Sequence, residues 1–379
     1  MTNATPGLLM TILSFLLVIG PLIFIHELGH YFAGRWFGVK AETFSIGFGK
    51  ELFGWTDKRG TRWKVGWLPL GGYVKFKGDM NPASQPSDEW LSLPAEERAE
   101  CFQAKPVWQR FIIVAAGPIT NFLFAIIVYM GVFAAYGEPR TPAVIAYVAP
   151  GSAAESAGIR PGDQILQING MRVTRFEDIG AYVQIRPEKP LAVELERGGE
   201  RLTVRTVARA ETQRDSFGNE ARIGRLGVSP VGNRVFHDVP VWELPIAAVQ
   251  HTAETVKMMV VTLGQVIAGD RSMKEMGGPL KIAQYSGQQA SVGWFSFIMF
   301  MTVISINLGF INLLPIPLLD GGHLAFYTIE AVRRKPLKPE AQEWAFRTGL
   351  AALLALMMFV TLNDLASFGV WKKLGGLIG

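Results

Sequence analysis

The chain has 379 residues, 49% of them apolar and only 18% charged, with a net charge of +5 and one cysteine. An ordinary soluble domain carries about 25% charged residues, so this balance excludes a disordered tail protein, and lone Cys101 excludes a disulfide-built scaffold. The basic residues are spread along the chain rather than gathered into a patch, which argues against a nucleic-acid partner.

The apolar residues come in blocks. Leu8–Ile25 contains no charged residue, and the apolar character continues to about Trp36. A bilayer core needs about 20 apolar residues, so a first span is predicted over about 8–36. No Lys or Arg precedes it and no small-residue exit follows, which argues against a cleaved signal peptide. At its inner end lies His26-Glu27-Leu28-Gly29-His30. On a helix, positions i and i+4 face the same way, so both imidazoles can hold one zinc ion. The Glu between them is placed to take a proton from water. Ionisable groups at membrane depth are costly and functional by default. Snorkelling to the headgroups explains one such residue, but not three at metal spacing.

Within 40–80, Phe44–Gly49 and Lys64–Lys77 flank the turn Asp57-Lys58-Arg59-Gly60, the pattern of a β-hairpin. Phe111–Ala135 has no charge and predicts a second span, with Gly117-Pro118-Ile119-Thr120-Asn121 inside it. The chain then changes character. Short β-like runs at 143–148, 164–168, 191–196 and 201–207 alternate with turns such as Pro161-Gly162, and Gly158 suits a left-handed helix C-cap. The stretch Val148–Gly170 resembles PDZ domains, which implies an α+β fold over about 136–235 whose groove binds extended peptides by strand addition. Arg225–Pro230 suits a groove strand at that domain's end. Residues 236–293 read as an amphipathic, juxtamembrane segment, either lying on the membrane surface or packing on the PDZ domain.

Trp294–Leu319 is again free of charge and predicts a third span. It ends in Asn312-Leu-Leu-Pro-Ile-Pro-Leu-Leu-Asp-Gly-Gly-His323. Pro315 and Pro317 break a helix, and irregular backbone at membrane depth survives only when buried or lining a watery cavity. A catalytic zinc takes three protein ligands. Position along the chain sets aside His237, His251 and Asp364, leaving Asp320 and His323 as candidates for the third. A fourth span is predicted over about 345–364. Residues 35–110 carry twelve basic residues and 327–347 five, whereas long exported domains cross regardless of charge. Both of these loops are therefore expected in the cytoplasm, with the termini and 136–290 on the opposite face.

The HELGH and Asn-x-x-Pro-x-x-x-Leu-Asp-Gly motifs together are similar to the site-2 protease family of intramembrane zinc proteases, in its RseP-like bacterial branch with a single PDZ domain. The resemblance covers essentially the whole chain. It implies a multi-span α-helical membrane protein of about four transmembrane helices, with a membrane-associated β-hairpin and an inserted PDZ domain. The membrane halves would be 1–135 and 294–379. It further implies one zinc per chain on His26, His30 and Asp320, Glu27 as general base, and Asn312 holding substrate. His323 then reads as a neighbour of the site. The expected setting is the bacterial inner membrane, with the active site near the cytoplasmic face and the PDZ domain in the periplasm. The expected substrates are single-span membrane proteins, such as an anti-sigma factor or signal-peptide remnants. The PDZ domain would bind a peptide or filter by size. Two other classes remain open at this stage, a membrane metal transporter and a catalytically silent PDZ adaptor.

Overall fold

The computed structural model describes residues 7–79, 91–139, 141–214, 220–230, 236–269, 277–335, 337 and 339–367. The chain divides into two compact units, Met1–Val128 with Gly277–Ala366, and Tyr129–Met276 with Ser367–Gly379.

The first unit begins with α1 (Leu8–Trp36). Ser14, Val18, Leu22, His26 and His30 are buried at steps of four, while Leu9, Leu13 and Leu17 on another face are exposed. That is a helix with one inward stripe and an apolar outer face. It stops at Gly38, whose φ of +69° lets the backbone turn back so that the Val39 N–H reaches Gly34 O. Two long strands follow, β1 (Ala41–Thr56) and β2 (Arg62–Phe76). Phe44 pairs with Val74 on one side and Trp63 on the other, so the ribbon folds back on itself rather than running as a plain hairpin. Phe44, Trp63 and Tyr31 pack ring on ring and fasten this element to α1. A short helix α2 (Ala95–Ala99) leads to α3 (Val107–Tyr136).

The second unit comprises the strands β3 (Glu138–Pro139) and β4 (Ile145–Val148), the short helix α4 (Ala153–Ser156), then β5 (Gln164–Ile168) and β6 (Met171–Arg172). Helix α5 (Phe176–Gln184) follows, then β7 (Pro190–Arg197), β8 (Glu200–Val207), β9 (Arg209–Arg214), β10 (Glu220–Arg225), β11 (Val228–Pro230) and β12 (Phe236–His237). The main sheet runs β6-β5-β7-β8, and β11 pairs with β4. Ile145, Ile165, Ile168, Val193 and Leu195 form its core. Ser152 caps α4, and Gly158 closes it in the left-handed conformation, at φ +75°. The turn at Asp163 is held by Arg197, whose Nε and Nη2 each lie 2.7 Å from the carboxylate. Between α5 and β11 lies a cavity of about 340 Å³, the position of a PDZ peptide groove. Helix α6 (Leu244–Ile267) completes the unit, its Gln265 side chain bonded to Ile185 O.

The chain then returns to the first unit with α7 (Pro279–Val292), α8 (Trp294–Leu313), α9 (Asp320–Arg333) and α10 (Pro339–Ser367). Among the described residues, Leu8–Trp36, Val107–Tyr136, Trp294–Leu313 and Glu340–Ala366 are long and apolar enough to cross a membrane. The protein is a multi-span helical membrane protein with an inserted PDZ domain.

Two boundaries differ from those expected. The third span ends at Leu313 rather than at 319, because Leu314 turns extended before Pro315 and the run to Leu319 is not helical. The segment 236–293 is not one juxtamembrane piece. Its α6 belongs to the second unit, whereas α7 packs along α1 and α8 in the first. The α7 N-terminus is held by buried Asp364 of α10, whose two oxygens accept from the N–H groups of Gly278 and Lys281. The last twelve residues of the C-terminal membrane half, 368–379, lie outside the described residues.

Candidate active site and metal centre

Helices α1 and α3 approach closely enough to build a site between them. A Cβ on Gly29 would stand 2.4 Å from Ala116 O, so only glycine lets the backbones meet. Thr120 of α3 donates its hydroxyl to Ile25 O at 3.0 Å across the same seam. Helix α9 joins this pair through Arg110 of α3, which bonds Glu330 at 2.8 Å and lies 4.9 Å from the Tyr327 ring centre. The chain reaches α9 through the break after α8. There Leu318 takes a φ of +82°, and a Cβ on Gly321 would lie 2.1 Å from Leu314 O. That tight return delivers Asp320, the first residue of α9, to the histidines of α1.

The three side chains converge. His26 Nε2 lies 3.1 Å from Asp320 Oδ2, and His30 Nε2 lies 3.5 Å from Oδ1. The two Nε2 atoms are 3.3 Å apart. Four ligands at about 2.0–2.1 Å from a tetrahedral zinc stand about 3.3 Å from one another, so this spacing fits that ion. The donor chemistry fits as well. His30 Nδ1 lies 3.0 Å from Ile113 O and must carry its proton there, which leaves a lone pair on Nε2. Asp320 Oδ2 is buried and makes no hydrogen bond, even to His26 at 3.1 Å. Lone pairs buried this close together repel unless a cation lies among them.

Glu27 is buried beside them, and Val74 of β2 lines the same cavity. Gly72 fits against it, since a Cβ there would meet Glu27 Cγ at 3.0 Å and Ile23 Cγ2 at 2.7 Å. A cavity of about 400 Å³ opens over these residues, walled by Gly71–Val74 of β2, Phe48, and Asn312 of α8.

The expected residues are thus unequally placed. His26, His30 and Asp320 form the one His/Cys/Asp/Glu cluster among the described residues with atoms close enough to share a metal ion. Asn312 lies in the wall of the same cavity. His323 also lines it, with its ring against Phe346. His237 and His251 belong to the second unit, and Asp364 caps α7. Two residues of the α3 motif had no role in the sequence reading. Asn121 Nδ2 lies 3.0 Å from His26 Nδ1, and Gly117 leaves the space into which the imidazoles point. An amide inside a charge-free span was the available signal.

Residues 14–356 match the family described as Peptidase family M50. A candidate zinc metalloprotease of Agrobacterium fabrum is 43% identical over 360 residues, covering 94% of this chain and 96% of its own. The metalloprotease MmpA of Caulobacter vibrioides is 37% identical, covering 98% of this chain and 99% of its own. A solved PDZ domain from Listeria monocytogenes aligns with 25% of the chain at 15% identity and a TM-score of 0.19, too slight a likeness to add to the strand order above.

Proposed function

The chain belongs to peptidase family M50, as an intramembrane zinc protease of the site-2 type, and we propose that His26, His30 and Asp320 hold its zinc while Glu27 is the general base. The observation that carries this reading is the convergence of two imidazoles and a carboxylate, from two distant parts of the chain, at 3.1–3.5 Å from one another. When bound, zinc supplies a Lewis acid for the scissile carbonyl and lowers the pKa of water.

The protein's own residues do the rest. Glu27 takes the proton of the attacking water on its carboxylate and delivers it to the leaving amide nitrogen. Gly72 and Val74 of β2 wall the cavity beside that carboxylate. A substrate helix cannot be cut while its carbonyls are hydrogen-bonded within the helix, so it must first unwind. The segment Gly71–Val74 in the cavity wall offers backbone to which an unwound strand would pair. Asn312 would hold the extended substrate by its amide.

The substrates in this reading are transmembrane segments of single-span proteins, with an anti-sigma factor or signal-peptide remnants as the expected class. The termini and the PDZ domain would face the periplasm of a bacterial inner membrane, with the catalytic site near the cytoplasmic side. The α5/β11 groove would bind a peptide or exclude bulky folded domains. The test is Glu27→Gln with a co-expressed single-span substrate. The variant should keep one zinc per chain and leave the substrate intact, and continued cleavage would refute the assignment.

A further inference from the structure

Asn121 is a fully buried amide on α3, in the middle of an apolar helix. Its backbone carbonyl accepts from Ser305 Oγ of α8 at 2.9 Å, which would suffice for helix packing. The side chain does something else. It meets His26 Nδ1 at 3.0 Å, and its Oδ1 is one of the few buried oxygens among the described residues with no hydrogen-bond partner.

The direction of the bond to His26 follows from what the other side of the ring must do. A neutral imidazole carries its proton on one nitrogen only. His26 Nε2 faces Asp320 Oδ2 and His30 Nε2, so as a ligand it must present a lone pair, and Nδ1 must carry the proton. An N–H at Nδ1 needs an acceptor, which the amide NH2 of Asn121 is not and its oxygen is. The two amide atoms are alike in shape, and exchanging them costs no space. The exchange also gives the orphaned Oδ1 a donor. His30 shows the same logic with a different acceptor, since its Nδ1 meets the carbonyl of Ile113 on the same helix. Helix α3 therefore supplies an acceptor to each histidine and contributes no ligand to the cluster.

We propose that Asn121 is a positioning residue whose amide oxygen accepts the Nδ1–H of His26 and holds the ring with Nε2 toward Asp320 and His30. The inference rests on the reading of His26 as a zinc ligand. Outer partners of ligating histidines are typically worth 10–100-fold in metal affinity.

The full-length chain, purified in detergent and stripped of metal, is titrated with zinc against a chromophoric chelator, and with cobalt(II) while its visible ligand-field bands are recorded. Asn121→Ala should bind zinc about 10–100-fold more weakly and shift the cobalt bands. Asn121→Asp matches the amide in shape but can only accept, so it should bind zinc at least as tightly as the wild-type protein. Wild-type zinc affinity in Asn121→Ala overturns the proposal. So does a tenfold loss in Asn121→Asp, which would mean that the amide donates. Should the alanine variant not fold, the aspartate variant decides alone. His26→Ala is run beside them. If it binds zinc like the wild-type protein, the ligand assignment itself is wrong, a different result from one in which it loses zinc and Asn121→Ala does not.

Discussion

Gly117 is the position at which a single methyl group should disarm the protein without unfolding it. A Cβ there would lie 2.2 Å from His30 Nε2, 2.5 Å from its Cε1 and 2.9 Å from His26 Nε2, where ordinary contact begins at 3.4 Å. The His30 ring would have to retreat by more than an ångström. It is tied from behind by its Nδ1 bond to Ile113 O, so the movement breaks that bond or tips Nε2 away from Asp320. Misplacement of a functional group by about 1 Å costs on the order of 100-fold, and the same factor in zinc affinity is about 2.7 kcal/mol. Gly117→Ala should therefore bind zinc at least about 100-fold more weakly, with an undiminished melting temperature, because alanine favours helix over glycine by about 1 kcal/mol. Zinc content after equilibration with a buffered chelator, together with thermal unfolding in detergent, reads both quantities. A Gly117→Ala protein that keeps one zinc per chain and cleaves at the wild-type rate would refute the geometry.

Three further outcomes follow from the same structure. Gly72→Ala pushes a methyl group toward Glu27 Cγ and Ser45 O, so kcat should fall by about tenfold or more while zinc content stays the same; a loss of zinc instead would place Gly72 in the metal site. A chelator should abolish cleavage and added zinc restore it, whereas cleavage that persists in zinc-free protein would contradict the role of the His/Asp cluster. In the second unit, burial pushes the Asp163 carboxyl up, but Arg197 and the Arg160 N–H outweigh it and hold the group below the usual carboxylate range. The stabilisation is then fully present above the unfolded value of about 3.9 and is lost as pH falls through the lower folded value. Asp163→Asn should weaken amide-exchange protection across β5 and β7 by about 1.5–3 kcal/mol at pH 7, with the gap to wild type closing as the carboxylate of the folded protein is protonated, below the usual carboxylate range. Equal protection at pH 7 would rule out the pair as a clamp.

The parts of this architecture that depend on local periodicity could be read from the residues. Charge-free runs marked the four spans, and the i, i+4 spacing of His26 and His30 implied one shared face before any neighbour was known. The β-strands of the second unit were legible from their turns, and Gly158 takes the left-handed conformation that its position suggested. Hydropathy misjudged the end of the third span because Leu314–Leu319 are apolar but interrupted by two prolines, and transfer energy does not record missing N–H groups. The folding-back of β1 and β2 was hidden because register depends on which edges meet, not on alternation along one strand. The roles of Gly117 and Asn121 were hidden for a like reason. A glycine and an amide in an apolar helix state nothing about what they face, and their partners are some ninety residues away in sequence.

The break after α8 has a consequence for biosynthesis. The HELGH helix leaves the ribosome early, while Asp320 is added almost 300 residues later, after the whole 129–276 unit. At about 5–20 residues per second that interval is roughly 15–60 s. Throughout it the nascent protein has two of its three proposed ligands and lacks α9, and for most of it α8 is missing as well. With the proposed ligands, the metal site is therefore incomplete until the chain has been made through Asp320.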